Sequence, residues 1–235
     1  MWWVDPGPDR RLTLVCLPWA GAGAAPFRAW AGCLPAGVAL CAVRLRGRES
    51  RLAEPPVSDM ELLVDELVDD LGRGVAGPFA LFGHCSGALV AFELARALRR
   101  RGRDGPAHLA VASQPAPRLS LAPVEDADVW HLVQRGGRVD ETVAGDAEVR
   151  DLLRPAIAAD LRLTAEYRYV HEEPLAVPLT VFAGTADSTV GADALRAWQE
   201  ETRGPFALTV LHGDHFFRDR SWSVLGRAVG EAVRP

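Results

Sequence analysis

A chain of 235 residues with a net charge of −5, 49% hydrophobic and 24% charged residues, has the composition of an ordinary globular protein. That excludes collagen-like, coiled-coil and wholly disordered chains. All 26 basic residues are arginine, and neither lysine nor asparagine occurs, which excludes a Schiff-base lysine, a phosphate-binding P-loop lysine and a Cys-His-Asn arrangement. Mild acidity argues against non-specific nucleic-acid binding, and no apolar run approaches the ~20 residues of a membrane span. MWWVDPGPDRR shows no basic region leading into an apolar run. The expectation is a cytoplasmic, monomeric protein that engages neither nucleic acid nor membrane.

Along the chain, short apolar runs alternate with amphipathic stretches. Leu12–Leu17 and Ala39–Val43 read as strands, Met60–Leu71 as a helix with apolar residues at helical spacing, and Phe79–Phe82 as a buried strand. Gly83–Gly87 then turns into a long helix, Ala88–Arg101. Further strands are expected at His108–Ala112, Leu179–Ala183 and Phe206–Leu211, and helices at Ala192–Thr202 and Trp222–Val233. Such alternation predicts an α/β fold: one domain over residues 1–235, with a mostly parallel sheet flanked by helices. Between Ala116 and Arg168 the alternation stops, and helical patterns at Asp126–Gln134 and Ala147–Asp160 are joined by a turn at Gly136–Gly137. A helical insertion between consecutive strands predicts a lid over residues 116–168. The plainer alternative is extra helices packed on the sheet.

Four cysteines, Cys16, Cys33, Cys41 and Cys85, lack the C-x-x-C spacing of a metal site, and no metal or cofactor is implied. Three read as buried apolar residues or idle thiols in a reducing compartment. Cys85 stands apart, at the centre of Gly83-His84-Cys85-Ser86-Gly87, between the strand FALF and the helical ALVAFELARAL. A strand–turn–helix elbow holds its central residue in strained backbone with the side chain presented, and its glycines are there because the turn has no room for side chains beside it. The helix N-terminus also favours a thiolate.

A nucleophile so placed needs a base and an orienting carboxylate, which sheet hydrolases supply in the order nucleophile, acid, histidine. Asp187 lies just past one strand in Ala183-Gly184-Thr185-Ala186-Asp187, and His215 just past the last in His212-Gly213-Asp214-His215-Phe216-Phe217. His212 competes weakly with His215, and Asp214 is too near in sequence to reach its neighbour's ring. His84 reads as structural, pointing into the turn, and His108, His131 and His171 as surface or core residues. The oxyanion formed on attack needs backbone donors. The N–H of Ser86 is one expectation; the N–H of Ala20, in the glycine-rich loop Pro18–Gly23, is the other. That loop lacks the third glycine of a dinucleotide site.

With these residues placed, the chain resembles the type II thioesterases that accompany nonribosomal peptide and polyketide synthases, a family of α/β-hydrolase fold. The likeness runs nearly end to end, through LVCLPWAGAGAAPFRAW, VRLRGRESRLAEPP, LFGHCSGALVAFELARALRRRG, LRLTAEYRYV, VFAGTADSTVGADALRAWQEET and GPFALTVLHGDHFF. Cys85, Asp187 and His215 match the order and spacing of the family's triad, and Ala20 and Ser86 fall on its oxyanion donors. The resemblance implies cleavage of acyl or aminoacyl groups held as thioesters on the phosphopantetheine of acyl or peptidyl carrier protein domains, in antibiotic-type biosynthesis, with the substrate admitted under the lid.

The chain departs from the family pattern at Cys85, where serine is usual, at Trp19 for tyrosine or histidine, at Arg46 for proline and at Asp214 for glycine. Attack by serine turns a thioester into a less energetic oxyester. Attack by cysteine exchanges one thioester for another and keeps the acyl group activated. The alternative to hydrolysis is therefore acyl or aminoacyl transfer, or cyclisation, onto a thiol or amine; a binding module that merely kept the fold is a third reading. For an acidic carrier protein, Arg44, Arg46, Arg48 and Arg51 are the docking candidates. Arg99, Arg100, Arg101 and Arg103 read as a solvated helix end favoured by the helix dipole.

Overall fold

The computed structural model describes the backbone of residues 2–5 and residues 10–119 and 146–235. The expected helix Asp126–Gln134, the turn at Gly136–Gly137 and His131 lie outside the described residues.

In chain order the strands and helices are β1 (Trp2–Asp5), β2 (Leu12–Leu17), β3 (Val38–Ala42), α1 (Met60–Gly74), β4 (Phe79–His84), α2 (Ser86–Arg100), β5 (Leu109–Ala112), α3 (Ala147–Ala165), β6 (Leu179–Gly184), α4 (Ala192–Arg196), β7 (Phe206–Leu211) and α5 (Arg220–Ala232). The strands form one sheet in the order β1-β3-β2-β4-β5-β6-β7. It is parallel throughout except for β1, which runs antiparallel to β3. The chain winds from β2 outward to β3, then returns across β2 to β4 and continues the other way. Loops leaving the carboxyl ends of β2 and β4 therefore diverge and open a crevice, the usual place for a ligand in such sheets. This is the α/β-hydrolase arrangement that the resemblance implied.

Two-residue periodicity splits the core into two layers. Val15, Leu17, Phe79, Leu81, Leu109, Val111, Leu179 and Val181 face α1, α2 and Trp198. Leu12, Leu14, Cys16, Ala80, Phe82, Ala110, Ala112 and Phe182 face Phe27, Trp30 and the α5 residues Trp222, Leu225 and Val229. Asp59 starts α1 by accepting the Leu62 N–H at 2.8 Å, and Asp146 caps α3 in the same way through the Glu148 and Val149 amides. No described helix is long and apolar enough to cross a membrane.

Three expectations are corrected. The first strand of the sheet, β1, was not foreseen: four residues on an edge, followed by Pro6-Gly7-Pro8, carry no alternation to detect. The expected helix Ala192–Thr202 is a short α4 followed by a 3₁₀ turn at Ala197–Glu201. The arginines are mostly engaged: Arg48 is buried, Arg44 pairs with Glu49, Arg46 with Glu66, and Arg51 with Glu54. Arg48 therefore offers nothing to a docking partner. At the end of α2, Arg99 and Arg100 both bind Glu172 and Arg101 binds Asp65, so those three residues tie α2 to its surroundings.

Candidate active site

β4 delivers its chain into α2 through a single residue, Cys85, with φ 52 and ψ −124. That left-handed backbone is strained for any side chain and costs about 1–3 kcal/mol. It is held because the surroundings leave no alternative. A Cβ on Gly83 would sit 2.3 Å from the Gly87 carbonyl oxygen, and one on Gly87 would sit 2.5 Å from the carbonyl oxygens of both Leu17 and Pro18. The Cys85 N–H donates to the Ala112 carbonyl at 2.9 Å, which fixes the elbow to β5 as well. Half-buried Cys85 thus stands at the crevice, between the end of β4 and the start of α2.

Asp187 and His215 meet there from the ends of β6 and β7. His215 Nδ1 donates to Asp187 Oδ2 at 2.9 Å, with the carboxylate side chain 3% exposed and the imidazole 14%. With Nδ1 so occupied, Nε2 is left for Cys85, whose sulfur hydrogen-bonds the ring. Burial disfavours the charged imidazole, but the hydrogen bonds to Asp187 and Cys85 and the charges of both outweigh it, raising the His215 pKa from 6.5 to about 9. Burial also works against the Asp187 carboxylate, and hydrogen bonds from His215 and Thr189 overcome it, lowering its pKa to about 2. An imidazolium facing a sulfur is the arrangement that keeps a thiolate at neutral pH.

Ala20 and Ser86, the two expected donors, are both buried, the first in the turn that follows β2 and the second as the first residue of α2. Among the described residues no acceptor takes either N–H. The remaining histidines fall elsewhere. His212 and His171 are exposed, and His108 bonds Thr180 Oγ1 at 2.9 Å. Asp214 does not reach the His215 ring; it accepts from the Phe216 N–H at 3.0 Å and from Arg218 Nε at 2.6 Å, closing the turn that carries the histidine.

Sequence reasoning missed one supporting residue. Thr189 donates its hydroxyl to Asp187 Oδ1 at 2.6 Å, lies 2.7 Å from His215 Nδ1, and gives its own N–H to Asp187. The Asp-x-Thr spacing of an Asx turn was the available signal. His84 is structural as expected, with more to do than fill the turn: its Nε2–H donates to the His215 carbonyl at 2.8 Å. Trp19 packs edge-on against His84, with centroids 5.3 Å apart, and Phe216 against His215 at 4.7 Å. A cavity of about 270 Å³ lined by Leu89, Gln114, Ala116, Leu119 and Tyr167 opens one turn along α2 from Cys85. A larger cleft of about 620 Å³ follows α1 and α2 around Glu93 and Arg96, away from the cysteine.

The profile of the thioesterase domain family matches residues 12–226. The gramicidin S biosynthesis protein GrsT of Aneurinibacillus migulanus is 34% identical, over 92% of this chain and 87% of its own. The structure of RedJ, a thioesterase from the prodiginine biosynthetic pathway in Streptomyces coelicolor, superposes with a TM-score of 0.90 at 35% identity, covering 97% of this chain and 92% of that one. The type II thioesterase BorB, from the borrelidin biosynthetic cluster, gives a TM-score of 0.87 at 32% identity, covering 99% of this chain and 96% of its own.

Proposed function

The chain belongs to the thioesterase domain family, and from that premise we propose that it is a discrete type II enzyme that removes acyl or aminoacyl groups from the phosphopantetheine of carrier proteins in a natural-product synthase. The observation that carries this reading is the convergence of Cys85, at a positive-φ elbow, with a His215 ring oriented by Asp187. Near full-length likeness to GrsT, RedJ and BorB supports the pathway class.

In this mechanism the Cys85 thiolate attacks the thioester carbonyl, a C–S bond forms, and the oxyanion is held by the N–H groups of Ala20 and Ser86. Collapse breaks the bond to the pantetheine sulfur, which takes the proton from His215 Nε2. The now neutral imidazole draws a proton from water, the hydroxide attacks the acyl-Cys85 thioester, and the acid leaves as Cys85 regains its place beside the imidazolium. Asp187 keeps Nδ1 protonated throughout and fixes the ring. The reaction so written calls for no resident cofactor. The cavity beside Leu89 suits the acyl group, and the segment over residues 116–168 acts as the lid; the last turns of α3 lie on the Gly21 loop.

Cys85 itself favours a second reading. Because acyl-Cys is still a thioester, a thiol or amine can take the place of water, which makes the same site an acyl or aminoacyl transferase or a cyclase. Thiol release from an acyl-carrier protein, followed with and without added thiol or amine, tests both. Cys85→Ala is expected to abolish release, and a variant that keeps full activity defeats the reading. Release to free acid regardless of acceptor marks an editing hydrolase; release only when acceptor is present marks a transferase.

A further inference from the structure

The turn that carries Ala20 is shaped by residues far from it in sequence. Trp19–Ala22 closes with the Ala22 N–H donating to the Trp19 carbonyl at 3.0 Å, and Gly21 takes φ +80 at the third position. A trans peptide points its N–H and C=O in opposite directions. Drawing the Trp19 carbonyl into the turn therefore aims the Ala20 N–H out of it.

The peptides on either side of the Gly21–Ala22 link are held from outside. The Gly21 N–H donates to Asp160 Oδ2 at 2.8 Å, and the Ala22 carbonyl accepts from Arg48 Nη1 at 2.9 Å. Arg48 and Asp160 face each other in a bidentate pair at 2.6 and 3.0 Å, each side chain 5% exposed. One turn earlier on α3, Ile157 fills the space over Gly21, where a Cβ would lie 2.7 Å from its Cγ1. A buried ion pair is weak evidence for stability, because well-packed apolar residues often serve as well. No apolar pair, however, supplies an acceptor for the Gly21 N–H and a donor for the Ala22 carbonyl.

We propose that Asp160 and Arg48 are positioning residues for the thioester reaction: they set the direction of the Ala20 N–H and couple the oxyanion site to α3. Neither touches the reacting atoms. The inference rests on the reading of Cys85 as nucleophile and Ala20 as donor. It makes α3 part of the catalytic frame, so that whatever displaces this helix also changes the rate of acylation.

The test pairs two reactions of the same sulfur. Acylation by an acyl-pantetheine thioester builds an oxyanion; alkylation by iodoacetamide forms the C–S bond as iodide leaves and builds none. Both are followed by intact mass, with the site confirmed on the Cys85 peptide. The double variant Arg48→Met/Asp160→Leu keeps the pocket filled while removing both contacts to the turn. It is expected to acylate roughly 10- to 100-fold more slowly, the scale of a misplaced oxyanion donor, while alkylation stays at the wild-type rate. Asp160→Asn, which keeps an oxygen for the Gly21 N–H, retains more of the acylation rate than the double variant. Acylation at the wild-type rate in the double variant overturns the proposal, as does an equal loss of both reactions, which marks the pair as part of the fold alone. A wild-type Cys85 that takes neither reagent overturns the nucleophile reading, and this inference with it.

Discussion

The nucleophile elbow and the loops that serve it lie together at the carboxyl edge of the sheet, yet they are built in opposite ways. The elbow is written in five consecutive residues, where a Cβ on Gly83 would meet the Gly87 carbonyl and one on Gly87 the carbonyls of Leu17 and Pro18, and between them Cys85 takes its positive φ. The loops are held from a distance. Gly21 hangs on Asp160, 139 residues away, the His215 carbonyl on His84, 131 residues away, and the His215 ring on Asp187. A feature imposed by backbone exclusion shows in the sequence as glycines at fixed spacing, whichever strand supplies the excluding backbone. A feature imposed by side-chain clamps depends on the whole fold being in place.

Breaking a distant clamp is expected to have the largest effect. Asp187→Asn removes the partner that orients and charges His215 and is expected to lower kcat by about 10⁴-fold, as for other buried triad carboxylates. The pH dependence gives the sign. In the wild type the imidazolium persists up to about 9, so acylation, which needs that proton for the departing thiol, holds through neutral pH and declines as the pH rises through about 9. Without the carboxylate the decline moves down towards the ordinary histidine value of ~6.5. A stopped-flow pH profile checks this, and an unmoved limb counts against Asp187 as the partner.

The local element is tested by Gly87→Ala, whose new Cβ would lie 2.5 Å from two backbone oxygens. Overpacking of this kind costs about 1–3 kcal/mol, and the displaced nucleophile is expected to lose about 10² in kcat. Gly105→Ala, with nothing within 4 Å of its Cβ, is the control and is expected to change stability by under ~0.5 kcal/mol. Thermal denaturation of the pair separates exclusion at the elbow from a general cost of replacing glycine. The smallest effect on activity belongs to Thr189→Val, which removes the hydroxyl's hydrogen bond to Asp187 and its approach to His215 Nδ1 but leaves the Asp187–His215 hydrogen bond. It is expected to cost about 1 kcal/mol, roughly fivefold in kcat, and kinetics beside Asp187→Asn shows whether the two act as one unit.

The same contrast explains what the sequence disclosed. The buried run Leu12–Leu17 and the partly exposed edge strand Phe206–Leu211 were legible to the residue, and Val38–Ala42 to within one. The elbow was legible because five consecutive residues specify it. The start of α2 was misplaced by two residues, since the helix begins at Ser86, inside the turn motif itself. Arg48 was misread because charge on a loop usually means solvent, and nothing near it announced a buried partner 112 residues away. Glu93 and Arg96 on α2 are a second buried pair of opposite charges. Both are buried on a helix covered on nearly all sides, where their mutual pairing and Tyr167 satisfy them.

Covalent chemistry at Cys85 is the central claim, and its most direct test is time-resolved intact-mass spectrometry of the wild type and Cys85→Ala mixed with an acyl-carrier protein. The predicted result is an adduct of the acyl mass on the Cys85 peptide of the wild type, formed before free acid or transferred product, and no adduct or turnover in the variant. Cleavage by Cys85→Ala at the wild-type rate, or an adduct on any other residue, would contradict it.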